Sequence, residues 1–100
     1  MANTTLTVTV RGGKPPVTIR IRCFKNNKHF LDISSPKSFQ HPFIGLKKGE
    51  YSIFIMGFNP LNGSTECSLT PDEITLHPPD PSPVEKTGTA YLAAFHFTVT

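Results

Sequence analysis

The chain has 100 residues, 37% of them hydrophobic, with ten Lys plus Arg against seven Asp plus Glu. That length suits one domain spanning residues 1–100, able to bury about two-thirds of the surface its unfolded form exposes, and no apolar run approaches the roughly 20 residues that cross a bilayer as a helix, so membrane insertion is not expected. The net charge of +3 is unevenly placed: Arg11, Lys14, Arg20, Arg22, Lys25, Lys28, Lys37, Lys47 and Lys48 face only Asp32 and Glu50 in the first fifty residues, whereas Lys86 alone faces Glu66, Asp72, Glu73, Asp80 and Glu85 in the second fifty.

Taken in order, Leu6, Val8 and Val10 alternate with Thr5, Thr7 and Thr9, the period of two of a half-buried strand over residues 5–11. Gly12-Gly13-Lys14-Pro15-Pro16 breaks it. A second strand follows with Val17, Ile19, Ile21 and Cys23 toward a core and Thr18, Arg20, Arg22 and Phe24 away from it. Lys25-Asn26-Asn27-Lys28 reads as a hairpin turn, because Asn tolerates left-handed backbone angles. Residues 29–33 form a third strand with Leu31 and Ile33 inward, and residues 38–44 a fourth, placed at a sheet edge by Pro42, which has no N–H to donate.

The strongest strand signal lies after the turn at residues 45–49. Tyr51, Ile53 and Ile55 occupy one face and Phe54, Met56 and Phe58 the other, as expected of a central strand covered on both sides. Residues 66–69 resume extended structure after a loop of turn formers. Thr70-Pro71-Asp72-Glu73 has the cap, proline and glutamate of a helix start, but the alternation of residues 74–76 and Pro78 leave room for one turn at most. Four prolines between residues 77 and 83 predict an extended surface connection. The last strand, residues 89–99, sets Tyr91, Ala93, Phe95, Phe97 and Val99 against the core. About seven strands separated by turns, with no credible helix, predict an all-β, antiparallel β-sandwich.

Within this frame, Phe43-x-x-Leu46-x-x-Gly49-x-Tyr51-x-Ile53-x-Ile55 resembles a segment shared by immunoglobulin-like and transthyretin-like modules. These include the carboxypeptidase-regulatory-like and Cna B-type domains of bacterial surface proteins and the fibronectin type III and polycystic-kidney-disease-type domains. The resemblance implies an immunoglobulin-like sandwich with a tyrosine corner, in which Leu46 plugs the core, Gly49 turns the chain and the Tyr51 hydroxyl ties back to upstream backbone. Those three are expected as structural positions. It also implies an extracellular or envelope setting. The chain departs from true immunoglobulin domains in having no tryptophan and in carrying Ile53 where their second cysteine stands.

Met1 to Val10 has neither the basic nor the apolar region of a signal peptide. A cytoplasmic location is therefore expected if the chain is complete as given, an extracellular or envelope one if it is cut from a longer precursor. Cys23 and Cys67 are expected as free buried thiols, with pairing in an oxidising compartment as the alternative.

No catalytic signature is visible. His29, His41, His77 and His96 lack ligand spacing, the cysteines form no CxxC, and Ser34, Ser35 and Ser64 sit in no nucleophile elbow, so neither enzyme activity nor a metal or cofactor is expected. Two candidate binding groups remain. Phe54, Met56 and Phe58 need cover from Leu92, from the proline-rich segment or from a partner, and an uncovered apolar patch marks an interface. Arg20 and Arg22, beside Thr18 and Phe24 and near Lys25 and Lys28, form a basic stripe suited to a polyanion, or else a solvated face that guards against edge pairing. Pro78-Pro79-Asp80-Pro81 meets the loose P-x-x-P pattern but also reads as a stiff loop. The function expected is a non-catalytic structural or protein-protein interaction module whose partner is another protein or a copy of itself; the alternative is a polyanion or carbohydrate binder using Arg20 and Arg22.

Overall fold

The computed structural model describes residues 1–13 and 17–100; Lys14, Pro15 and Pro16 of the predicted break lie outside them. Nine strands follow in chain order: β1 (Ala2–Arg11), β2 (Ile19–Lys25), β3 (Lys28–Ser35), β4 (Phe39–Leu46), β5 (Gly49–Phe58), β6 (Ser64–Leu69), β7 (Thr75–His77), β8 (Val84–Lys86) and β9 (Ala90–Val99). They make two antiparallel sheets, ordered β4-β1-β6-β8 and β3-β2-β5-β9-β7. The architecture is the expected all-β pair of packed sheets, with nine strands rather than about seven. The two additions, β7 and β8, are three residues each and flank the proline-rich segment. Their own sequence is too short to mark them as strands beyond the alternation at residues 74–76; β7 exists because Thr75, Leu76 and His77 pair with Thr98, Phe97 and His96, and β8 because Val84 to Lys86 pair with Cys67 to Thr65.

One continuous core lies between the sheets. Leu6, Val8, Phe43, Cys67 and Leu69 enter it from one side and Ile19, Ile21, Cys23, Tyr51, Ile53, Ile55, Phe95 and Phe97 from the other. The alternation predicted for β1, β2, β5 and β9 is the alternation observed, because a period of two leaves each strand a single register that buries its apolar set. Cys23 and Cys67 are fully buried, unpaired and on opposite sheets. Burial pushes both thiols up to about 12, so neither is a nucleophile at neutral pH.

The β2–β3 hairpin turns where expected, with Asn26 and Asn27 both at positive φ, the geometry that matches the twist of a two-residue hairpin. β4 is a sheet edge and holds Pro42 opposite Thr5. The helical turn allowed at residues 70–73 is absent: the Ile74 amide donates to the Pro71 carbonyl at 3.4 Å in a simple turn, while Thr70 is held by Thr4 and Thr5. The proline-rich segment is pinned at its middle and near its end. Asp80 accepts from the Ala94 amide at 2.8 Å and from Lys86 at 3.0 Å, and the Ser82 hydroxyl both accepts from and donates to the Leu69 backbone. The segment thereby closes the side between β9 and β6.

Candidate interaction face

β5 occupies the centre of the five-stranded sheet, between β2 and β9. Its odd-numbered side chains fill the core, so its even-numbered ones stand on the outer face, where they meet the even-numbered residues of both neighbours. Arg20 is opposite Met56, and Met56 opposite Leu92; Arg22 is opposite Phe54, and Phe54 opposite Ala94; Phe24 is opposite Ser52, and Ser52 opposite His96. The two groups the sequence offers separately, Arg20 with Arg22 and Phe54 with Met56 and Phe58, are thus cross-strand neighbours on one surface.

That surface has two halves. Toward the Asn26 hairpin it is an internally satisfied network. Phe24 and Phe54 meet edge to face at 5.7 Å, Phe54 meets the His96 ring at 5.8 Å and Phe24 meets His29 at 5.5 Å. The Arg22 guanidinium lies 5.5 Å from the Phe24 ring centre and approaches Asp32 at 3.4 Å, while His29 Nε2 bonds the same Asp32 oxygen at 2.8 Å. The hydrogen bond from His29, with the Arg22 charge, holds the Asp32 carboxyl below the usual range. Ser52 and His96 Nδ1 share a hydrogen bond at 2.8 Å. Thr98 donates to Glu50 at 2.9 Å, so its oxygen accepts from His77 Nε2 at 2.7 Å, which places a proton on that nitrogen.

Toward the far end the face is open. Phe58 is 58% exposed and Leu92 53%, with Met56 half-buried between β2 and β9. Arg20 has no carboxylate partner among the described residues, in contrast to Arg11, Arg22 and Lys86. A shallow cleft of about 220 Å³ runs past Arg20, Met56, Gly57, Phe58 and Ala90. Neither internal cover considered for this face supplies it. The proline-rich segment is held at the β9 and β6 edges, and Leu92 extends the patch instead of hiding it.

The predicted corner residues lie at the opposite end. The Tyr51 hydroxyl donates to the Lys47 carbonyl at 2.7 Å, Leu46 packs against the core, and Gly49 brings β5 against Lys25 and Asn26. Burial pushes the Tyr51 hydroxyl up. Among the described residues no group of three or more His, Cys, Asp or Glu is placed to hold a metal ion, and no helix is long and apolar enough to cross a membrane. Sequence parity alone assigned each residue to a face, but it did not reveal the β2–β5–β9 register that joins the two groups. Comparison of the chain with protein-family models, with curated proteins and with solved structures gives no match.

Proposed function

We propose that this chain is a non-catalytic, immunoglobulin-like β-sandwich module that binds another protein, or a second copy of itself, through the open half of its five-stranded sheet. The observation that carries the reading is the exposure of Phe58 and Leu92 beside Met56, next to an Arg20 that lacks an ion-pair partner among the described residues. Aromatic, Met and Arg side chains are the types enriched at the centres of protein interfaces. The immunoglobulin-like assignment is supported by the Tyr51–Lys47 bond at the start of a strand lying between two others. The alternative, a polyanion or carbohydrate site on the basic stripe, is less well supplied, since of its two strand-face arginines Arg22 is engaged by Asp32 and Phe24.

The test pairs Phe58→Asp and Leu92→Asp with the wild-type chain. Self-association is followed by sedimentation, and proteins captured from the native source are identified and re-tested in purified form. Each exposed anchor contributes about 1.5–3 kcal/mol when buried, so each variant should weaken the complex roughly tenfold or more while melting near the wild-type temperature. A purified partner, or a self-associated state, unaffected by both substitutions would remove the proposal.

A further inference from the structure

Four further cations without an ion pair among the described residues lie together at the other end of the sandwich. Lys25 and Lys28 flank the β2–β3 hairpin, Lys47 and Lys48 form the β4–β5 turn, and none of the four has a carboxylate within ion-pair distance among the described residues. The two turns are fastened side by side: the Asn26 amide donates to the Glu50 carbonyl at 2.7 Å, and the Glu50 amide donates to Asn26 Oδ1 at 3.0 Å. The Glu50 carboxylate is turned to the outer face, where it accepts from Thr98 at 2.9 Å, and it forms no ion pair with them. Like charges gathered on two joined turns repel, and an anionic partner relieves that repulsion while being steered in by the same field.

Between the turns lies an apolar cleft of about 300 Å³, lined by Lys25, Phe30, Gly45, Leu46, Lys47 and Tyr51. Its wall comes from an irregularity in pairing. Cys23 faces Leu31 and Phe24 faces His29, so Phe30 has no partner on β2; its ring, 45% exposed, meets Tyr51 edge-on at 6.1 Å. Lys25 Nζ stands 5.7 Å from the Tyr51 ring centre, and the Tyr51 hydroxyl is already used by Lys47. The floor therefore offers ring and methylene surface with ammonium groups at its rim, and its volume is at the lower end for a ligand site, enough for one apolar side chain.

We propose that this end of the molecule binds an acidic peptide segment of a partner protein, with carboxylates against Lys25, Lys28, Lys47 and Lys48 and one apolar side chain seated in the cleft that Phe30, Leu46 and Tyr51 line. A phosphate polymer would engage the lysines and leave the cleft unfilled. The site is independent of the outer face and stands or falls without it.

The probe is a fluorescent synthetic peptide of Asp and Glu residues around a central Phe, with a second peptide carrying Ser at the centre. At low ionic strength the Phe peptide should bind, and the Ser peptide should bind about tenfold more weakly, the worth of a buried apolar side chain. Lys47→Glu with Lys48→Glu should lower affinity at least about tenfold, and salt near 1 M, where the screening length is ~3 Å, should abolish binding. Phe30→Ser, at an exposed edge position, should erase the difference between the peptides, while Phe58→Asp leaves both affinities unchanged. Equal affinity for the two peptides, indifference to the lysine reversal, or tight binding of heparin or phosphatidylserine vesicles in place of the peptide overturns the proposal.

Discussion

Thr65, fully buried on β6, donates its hydroxyl to Asn59 Oδ1 at 2.6 Å, and the Asn59 amide donates in turn to the Lys86 carbonyl at 3.2 Å and the Gly88 carbonyl at 2.7 Å. One side chain just past β5 thereby ties the four-stranded sheet to the chain leading into β9. The neighbouring Tyr91 hydroxyl is buried without a hydrogen bond among the described residues.

Asn59→Ala strands the Thr65 hydroxyl and frees two carbonyls. Leaving a buried polar group unsatisfied costs about 1–3 kcal/mol, so the variant should unfold at a clearly lower urea midpoint with an unchanged slope. A midpoint equal to wild type would show that water replaces the amide without loss.

Tyr51→Phe removes the hydroxyl that bonds Lys47 while keeping the ring stacked on Phe97 at 5.1 Å. The expected loss is about 1 kcal/mol, or roughly 4–8 °C in melting temperature for a domain of this size. Calorimetry showing an unchanged transition would withdraw the corner as a stabilising device. Because the ring remains, the Phe30 cleft should keep its shape in this variant.

Asp80 makes stability depend on acid. Burial opposes its ionisation, but the Ala94 amide and Lys86 outweigh that, and its carboxyl lies below the usual range. A carboxyl depressed by folding adds stability above its unfolded value, near pH 4, and loses that contribution as pH falls through the folded value. Wild type should therefore weaken more steeply than Asp80→Asn below about pH 4, with the two curves running parallel above about pH 5. Curves parallel throughout would mean that the Asp80 carboxyl is not coupled to folding. Asp32 contributes in the same direction, but it stands exposed to solvent, where screening leaves an ion pair little net worth.

The all-β class, the inward and outward faces of β1, β2, β5 and β9, the Asn26-Asn27 hairpin and the edge position of β4 are legible in the residues alone. Each is a local matter: a period of two, a residue tolerant of positive φ, a proline without an N–H. What lies beside what is settled by long-range packing. The strands β7 and β8 are held by the edges of β9 and β6, not by their own residues. The outer face became a single surface when the pairing of β5 with β2 and β9 set Arg20 beside Met56 and Leu92. The lysine end formed when Asn26 drew two distant turns together and a pairing irregularity turned Phe30 toward Tyr51. Those outcomes depend on contacts between residues far apart in sequence, whose register is fixed by burying the whole core at once.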